Sequence, residues 1–326
     1  MNSNTVQQVV QSAADSFKPL LLTYRQDLKG LILSYLGRSI LFLITCSSVV
    51  SVLLIFVFVA REAIPFLTKA SLVEFLTSTG WYPAAYEDPE FGALAMIAGS
   101  AYVTAVALLL SVPTGILAAV FLSDIVSFKI RTVVKPIIEI LAAIPSVAYG
   151  FFAVLVLAPW MQKQLGFPTG TNALNASLVL SVMALPTIIS VAEDSISAIG
   201  RDLREASYSL GATRMETIFR VVIPAAHSGI IAAIVLGMMR AVGETMVVWM
   251  ASGNASQIPH PWWDLSQSVR TLTATIAGDM GETAQGSDHY RALFALGFLL
   301  LVVTLFLNGL SEYFLSSARK ASGKNK

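Results

Sequence analysis

The stretch that decides the fold runs from Arg201 to Glu244 and begins RDLREASYSLGATRMETIFRVVIP, ending at Pro224. Its first half is too charged to lie in lipid, so we expect it to rest on a protein surface. Small or apolar residues recur there at helical spacing, at Leu203, Ser207, Leu210 and Ile218. The second half places Arg240 and Glu244 four residues apart in an apolar segment, on one face of a predicted helix. An ionised arginine near a bilayer centre costs roughly 2.5 to 3.5 kcal/mol, so it marks a pathway or a buried partner.

Composition predicts an integral membrane protein. Hydrophobic residues make up 55% of the 326 residues and charged residues only 13%, and a soluble domain of this length could not bury so much apolar surface. The net charge of +1 leaves no basic surface for nucleic acid. The single cysteine, Cys46, excludes a disulfide framework or a thiolate metal site within this chain.

Six apolar stretches are each near the roughly 20 residues that a helix needs to cross a bilayer. We predict an all-α membrane protein with six transmembrane helices, at Ser39–Ala60, Phe91–Leu122, Pro136–Trp160, Ala173–Val191, Gly229–Ala251 and Arg291–Phe314. Pro113, Pro145 and Pro186 lie inside the second, third and fourth stretches, where a missing N–H favours a bend.

The segments outside these helices complete the predicted organisation. Residues 1–38 are predicted to form a cytoplasmic N-terminal arm, either a solvated tail or an amphipathic helix on the membrane at about 17–36. The first transmembrane helix at 39–60 is followed by a core at 91–315 that contains the loop at 201–224. A basic cytoplasmic tail is predicted at 316–326.

Basic residues predict the orientation. Fifteen of them lie in segments on one side of the predicted helices, five lie on the other side, and Arg240 lies within a helix. Because positively charged loops stay in the cytoplasm, both termini and the loop at 201–224 are predicted to be cytoplasmic. Four aromatic residues on the outer side are predicted to form an interfacial belt or to contact an external partner: Trp81, Tyr82, Trp262 and Trp263.

The loop at 201–224 carries the most specific pattern. The small residues Ala206 and Ser207 follow Glu205, Gly211 lies six positions after it, and VVIP ends the loop at Pro224. Gly211 can adopt the left-handed conformation that ends a helix, and Pro224 suits the first turn of the next one. We therefore predict a short helix, a tight turn, a second short helix and entry into the membrane. The pattern resembles the EAA loop of the binding-protein-dependent ABC importer permeases, and the resemblance extends over about 91–314.

This resemblance implies a type I (MetI-like) permease fold that crosses the bacterial inner membrane several times. It also implies that the loop is a coupling helix that docks in a groove of a cytoplasmic ATPase. The implied coupling residues are Leu203, Arg204, Glu205, Ala206, Ser207, Gly211 and Pro224. The departures from the family pattern add no bulk or charge, since Ser207 stands where alanine is usual and Val221 and Ile223 replace isoleucine and leucine.

Three further stretches look like the C subunit of Pst-type high-affinity phosphate importers. They are FGALAMIAGSAYVTAVALLLSVPTGILAAVFLSD at 91–124, KPIIEILAAIPSVAYGFF at 135–152 and RAVGETMVV at 240–248. This resemblance implies one half of a heterodimeric phosphate pathway, with Arg240 and Glu244 as transport residues. A homologous second permease, two copies of an ATPase and an external phosphate-binding protein would complete the assembly.

The chain contains no GxxxxGK[ST] phosphate loop, so we predict a transport subunit that does not hydrolyse ATP and is not an enzyme. It needs no cofactor of its own, because ATP and Mg would be bound by the partner ATPase. Energy would then arrive through contact. The partner's states must differ in how they hold the loop, because coupling is a difference in binding free energy.

Arg240 is the best candidate for contact with a transported anion. Its planar guanidinium matches the oxygens of phosphate and stays charged at physiological pH. Glu244 would compensate that charge in an empty pathway and weaken the grip on the anion. The alternative is that Arg240 and Glu244 form a buried ion pair that only fixes helix packing. One arginine would also serve phosphonate, sulfate or molybdate, so the choice of phosphate depends on the resemblance.

The remaining polar residues of the apolar stretches suggest structural roles. Glu139 is predicted to be a structural intramembrane acid, either protonated or paired with Lys135 or Arg131. The three histidines, His227, His260 and His289, are too scattered for a metal site and are predicted to be solvated loop residues.

Two other classes of function stay open on the residues alone. A self-sufficient secondary anion transporter or channel would use Arg240 for selectivity, and inverted repeats would favour it, but the six segments show no convincing internal symmetry. An intramembrane enzyme would need a nucleophile and a base within the segments. Glu139, Arg240 and Glu244 supply neither.

Overall fold

The computed structural model describes residues 24–85 and 87–321, and most of them are helical. The chain divides into two compact units, Met1–Val57 and Phe58–Lys326. The first helix, α1 (Tyr24–Lys69), extends beyond the predicted segment 39–60 at both ends and runs through Pro65. It therefore begins inside the predicted N-terminal arm, which is helical from Tyr24. The rest of that arm, with the start of the amphipathic helix predicted at 17–36, lies outside the described residues.

A small apolar cap follows the end of α1 in the second unit. It comprises α2 (Leu72–Thr77), β1 (Trp81–Tyr82) and β2 (Glu90–Phe91), and the two strands pair antiparallel. Phe66 packs edge-on against Phe75 and Phe91, with ring centroids 5.5 and 5.3 Å apart. Trp81 is buried in this cluster and its indole Nε1 donates to the Asp279 carboxylate at 3.0 Å. Its predicted place in an interfacial belt is therefore wrong, because a hydrogen-bond partner draws the ring inside.

The core of the second unit is a packed set of three helices. They are α3 (Leu94–Val120), α7 (Ala173–Ser197) and α11 (His227–Val242). A Cβ at Gly115 of α3 would lie 2.8 Å from Ile188 of α7, and one at Gly237 of α11 would lie 2.5 Å from the same side chain. Small residues let membrane helices approach closely. Ile188 is thus held between two glycines, on α3 and α11.

Two of the predicted spans are broken. Helix α4 (Phe128–Ala143) is followed by α5 (Ser146–Phe152), a π-helical turn Ala153–Leu157 and α6 (Ala158–Leu165), and the chain bends by 85° after α4. Pro145 causes this bend, because it forces Ile144 into an extended conformation and removes an N–H from the helical ladder. By contrast, α3 and α7 run uninterrupted through Pro113 and Pro186, so no helix break occurs there.

A second bent pair of helices includes part of the loop at 201–224. After α7 come α8 (Arg201–Ser209), α9 (Arg214–Thr217), a π-helical turn Ile218–Val222 and α10 (Ile223–Ala225). The chain then bends by 70° into α11. Within the described residues, four helices are long and apolar enough to cross a membrane, and the two bent pairs raise that number to six. This agrees with the six predicted spans.

The last third of the chain departs from prediction at one point. Helix α11 ends at Val242, and α12 (Met246–Ala251) starts after a break at Gly243, so the span predicted at 229–251 is not one helix. A connection then leads to α13 (Leu272–Asp279) and to α14 (Asp288–Ala321). Helix α14 continues into the predicted tail at 316–326, of which residues 322–326 lie outside the described part.

Candidate functional site

The predicted coupling loop has the expected local structure. Gly211 adopts φ +84° and ends α8, and nothing packs where its Cβ would be, so its backbone conformation alone requires glycine. The Thr213 side chain accepts from the N–H of Glu216, whose carboxylate accepts from the N–H of Thr213, which forms a capping box for α9. Pro224 occupies the first turn of α10. The short helix, the turn and the second short helix are thus confirmed.

The loop rests on its own chain by one face only. Ser207 and Ile218 are buried, and the hydroxyls of Ser207 and Thr217 are hydrogen-bonded at 2.9 Å. Leu203 and Leu210 are exposed instead, and Leu210 is 90% exposed. We expected all four small or apolar residues to rest on a protein surface. Within this chain, only Ser207 and Ile218 do so.

The other predicted coupling residues divide in the same way. Glu205 and Ala206 are exposed on α8, on the side away from Ser207. Arg204 instead turns inward, and its Nε donates to Asp124 Oδ1 at 3.0 Å. Arg204 therefore contacts its own chain, which the sequence pattern did not indicate. The exposed part of α8 offers a carboxylate between small and apolar side chains.

A buried acid that sequence analysis missed lies beside this loop. Glu193, near the end of α7, is only 1% exposed, and its carboxylate accepts from Arg131, from Lys135 Nζ at 2.7 Å and from Ser197 Oγ at 2.9 Å. Lys135 also pairs with Asp194 at 2.6 Å. We call Arg131, Lys135, Glu193 and Ser197 the Glu193 cluster. It joins α4 to α7.

The Glu193 cluster explains why Glu139 does not form the predicted pair with Lys135 or Arg131. Lys135 and Arg131 both reach across to α7, and neither pairs with Glu139, which is exposed on α4. A buried carboxylate needs compensating charge far more than an exposed one does. The two basic side chains therefore turn toward Glu193.

A polar cleft of about 530 Å³ opens between the Glu193 cluster and the loop. Its lining includes Asp124 and four arginines, Arg131, Arg201, Arg204 and Arg214. Asp124 lies in the π-helical turn Phe121–Ile125 that continues α3. The base of the predicted coupling loop therefore contains an ionic region, beside the apolar contacts of Ile218 and Val222.

Arg240 and Glu244 are not on one helical face. Arg240 is exposed in the last turn of α11, whereas Glu244 follows the end of that helix. Gly243 weakens the helix at this point, and Thr273 donates its hydroxyl to the Glu244 carbonyl at 2.8 Å, which stabilises the non-helical backbone. The half-buried Glu244 side chain lies 3.5 Å from the N–H of Val247, at the start of α12. The predicted single helix through this pair is therefore wrong.

The two charges also do not pair. Within the part of the chain that the structure describes, Arg240 forms no ion pair with a carboxylate. The alternative of a buried Arg240–Glu244 pair that fixes packing therefore does not describe this structure. Arg240 keeps its charge free for another group.

The aromatic residues predicted to face outward form two different sites. Trp262 and Trp263 are exposed, as expected for a belt or for partner contact, and their rings pack edge-on at 5.6 Å. Hydrogen bonds from Ser266 and Gln267 lower the pKa of the neighbouring Asp264 carboxyl.

His289 is not a solvated loop residue, because it lies in the first turn of α14, packs on Trp81 and lies 3.5 Å from Asp279. Asp279 and Trp81 fix its ring. No metal-binding cluster of His, Cys, Asp or Glu occurs among the described residues.

Comparison with known proteins identifies the class. A family described as "Binding-protein-dependent transport system inner membrane component" matches residues 111–320. A probable ABC transporter permease protein YqgH of Bacillus subtilis is 42% identical over 250 residues, which cover 77% of this chain and 79% of that protein. A phosphate transport system permease protein PstC of Mesorhizobium japonicum is 35% identical over 260 residues, 74% of this chain and 77% of that protein.

One solved structure supports the fold. An inward-facing MetNI methionine ABC transporter aligns with a TM-score of 0.51 at 20% identity, over 70% of this chain and 94% of that one. The membrane-length helices, the two bent helix pairs and the family match together define a multi-pass permease subunit of an ABC importer. The chain belongs to the inner membrane components of binding-protein-dependent transport systems.

Family membership resolves the two alternatives that the residues alone left open. It sets aside a self-sufficient secondary transporter and an intramembrane enzyme, since members of this family are subunits of ABC transporters. It also implies three kinds of partner: an ATPase, a substrate-binding protein and a second permease.

Proposed function

We propose that this chain is one of two permease subunits of an ATP-driven phosphate importer and forms half of the translocation pathway. The names of several relatives support phosphate, including the PstC protein of Haemophilus influenzae, 31% identical over 269 residues. The observation that carries the proposal is the free guanidinium of Arg240, at the point where a membrane helix ends.

The chemistry of that arginine suits an oxyanion. A phosphate that leaves water for the membrane interior loses its hydration, and a fixed positive charge offsets part of that cost. A guanidinium gives two parallel N–H donors to two phosphate oxygens. Because Arg240 is not already engaged by Glu244, it can bind the anion without first breaking an ion pair.

Glu244 would limit the strength of that binding. It lies four residues after Arg240, on the non-helical turn that leads into α12. A carboxylate near the path repels a bound anion, so phosphate leaves as readily as it enters. The break at Gly243 separates the two charges and allows both to act on the same ion.

The proposed assembly follows the Pst pattern. A homologous PstA-like permease would pair with this chain, two copies of a PstB-like ATPase would bind ATP and Mg, and a PstS-like protein would deliver phosphate from outside. We infer that the ATPase grips the exposed part of α8, namely Leu203, Glu205, Ala206 and Leu210, with Gly211 and Pro224 setting its geometry. Both termini and this loop would then be cytoplasmic.

Uptake of radiolabelled phosphate tests the proposal. Cells that carry the complete transporter are compared with cells that lack this chain, with sulfate, molybdate and a phosphonate as competitors. We expect uptake to require the chain and to be inhibited only by unlabelled phosphate. Uptake of a labelled competitor that requires the chain and that phosphate does not inhibit would show that the transporter serves that oxyanion instead.

Variants of Arg240 test the residue itself. Hydrogen bonds to charged groups contribute about 1.5 to 3 kcal/mol, so Arg240→Gln should lower phosphate uptake by about tenfold or more. Arg61→Gln is the matched control, because it removes another exposed arginine, at a position outside the proposed pathway. Equal uptake by the two variants, at equal amounts of assembled complex, would contradict the role of Arg240.

A further inference from the structure

We propose that Asp124 is the joint that fastens the coupling loop to the membrane core, so that the loop and the cytoplasmic end of α3 move as one body. The inference rests on the proposed function, because the joint has a task only where an ATPase moves the loop. We call Asp124 with Arg204 and Arg214 the Asp124 joint.

The position of Asp124 is unusual. Helix α3 does not stop at Val120 but continues through a π-helical turn, Phe121–Ile125, whose last hydrogen bond runs from Val126 N–H to the Phe121 carbonyl at 3.0 Å. Such turns are rare, and they occur frequently at functional sites. The extra residue in this turn shifts the direction of the side chains that follow. Asp124, which is only 9% exposed, thereby faces the loop.

Both helices of the loop attach to this one residue. Arg204 of α8 donates from Nε to Asp124 Oδ1 at 3.0 Å and from a terminal nitrogen to Oδ2 at 3.5 Å. Arg214 of α9 donates to the backbone carbonyl of the same aspartate. The planar fork of an arginine on a carboxylate fixes orientation as well as distance. These polar contacts hold the loop at two points, on either side of its turn at Gly211, in addition to the apolar packing of Ile218 and Val222.

Arg204 also reaches the core helix α7. It donates to the carbonyl of Ile196 at 3.0 Å and to that of Ile199. A helix leaves its last four carbonyls without partners inside the helix, so these contacts stabilise the end of α7. One side chain of the loop thus contacts the ends of both α3 and α7, and these helices pack together through Gly115 and Ile188.

The joint is also linked to the Glu193 cluster. The hydroxyls of Ser197 and Ser123, the neighbour of Asp124, are hydrogen-bonded at 3.2 Å, and Ser197 contacts Glu193 and Arg131 as well. A continuous chain of polar contacts therefore runs from α9 through the π-helical turn and α7 to α4. Arg204 is only 16% exposed, so separating it from Asp124 would leave charges in a poorly hydrated place. The joint should therefore stay closed while the loop is pushed.

Distances within the assembled transporter test this rigidity without reference to the substrate. In the full chain, Cys46 is replaced by serine, and the exposed residues Ser127 and Ser209 are replaced by cysteine. A spin label is attached to each of these two introduced cysteines. The complex with its partner subunits is placed in nanodiscs, and the distance between the spin labels is measured without ATP and after trapping with ATP and vanadate. We expect the same distance in both states for the parent, and a distance that differs between the states for Asp124→Asn.

Transport provides the second readout. In Asp124→Asn we expect phosphate transported per ATP hydrolysed to fall about fivefold or more, while hydrolysis continues. Arg204→Lys, which keeps the charge but not the fork, should give an intermediate value. Asp88→Asn is the matched control, because Asp88 is an exposed aspartate far from the loop in sequence. We expect it to behave as the parent does.

Three outcomes would overturn the joint. The Ser127–Ser209 distance could change with nucleotide in the parent, or the Asp124→Asn complex could have the parent's distances and the parent's ratio of phosphate transported to ATP hydrolysed. The third outcome is a loss of uptake and hydrolysis in Asp124→Asn that only follows a loss of assembled complex. Failure of the phosphate assignment looks different. The parent would then take up no labelled phosphate, while the distances would still decide the role of Asp124.

Discussion

Glu193 allows a quantitative test of the packing between α4 and α7. The carboxylate is 1% exposed and is shared by Arg131, Lys135 and Ser197. Glu193→Gln keeps the shape of the side chain and one acceptor oxygen but removes the negative charge. Glu139→Gln is the matched control, since it makes the same chemical change at an exposed position on α4.

The size of the effect follows from the exposure of the two bases. Removing one partner of a buried ion pair costs about 3 to 5 kcal/mol. Here the Arg131 and Lys135 side chains are 29% and 27% exposed, so water can solvate them in part after the change. We therefore expect Glu193→Gln to lower the free energy of unfolding by about 2 kcal/mol. For a chain of 326 residues that corresponds to about 3 °C in apparent Tm, against less than about 1 °C for Glu139→Gln.

Thermal unfolding of the assembled complex in nanodiscs, followed by tryptophan fluorescence at a fixed scan rate, measures the difference. A double variant adds a sharper check. Arg131→Gln should destabilise the parent but add little to Glu193→Gln, because its partner is already gone. Equal shifts for Glu193→Gln and Glu139→Gln, or full additivity with Arg131→Gln, would refute the reasoning.

Three further changes test other parts of the structure. Arg240→Lys keeps a charge but loses the planar fork, so phosphate uptake should fall severalfold; unchanged uptake would mean that charge alone suffices. Ala206→Trp adds bulk on the exposed face of α8, so ATP hydrolysis by the complex should no longer drive uptake, and normal uptake would remove that face from the proposed contact. Gly115→Leu places a Cβ 2.8 Å from Ile188 and should cost about 1 to 3 kcal/mol. Partial recovery of Tm on adding Ile188→Ala would confirm the clash, and no recovery would contradict it.

The sequence predicted what depends on local chemistry. The apolar stretches correspond to helices because their length and composition allow little else in a membrane. The left-handed turn at Gly211 and the bend at Pro145 were predicted because glycine and proline restrict the backbone directly.

The sequence did not reveal what depends on contacts between distant residues. Glu193 was missed because hydropathy ended the predicted fourth helix at Val191, and its partners Arg131 and Lys135 lie 62 and 58 positions away. The same two bases were assigned to Glu139 by their helical spacing, which gives neighbours on one helix and ignores burial on another. Only the packing of α4 on α7 decides between the two acids.

The prediction that Arg240 and Glu244 lie on one helical face was wrong for another reason. Four-residue spacing places two side chains on one face only if the helix continues between them. Gly243 and the hydroxyl of Thr273 end it there. The prediction of a free arginine for an anion does not depend on that geometry, and it stays a prediction.

The exposed Leu210 affects how the cell must make this subunit. A leucine side chain that moves from water to a protein surface gains about 1.5 to 3 kcal/mol, and Leu210 is 90% exposed at the tip of the loop. If a partner ATPase covers this side chain, as we propose, a copy made without that ATPase leaves it exposed. An excess of this subunit over the ATPase would then be prone to aggregation or proteolysis.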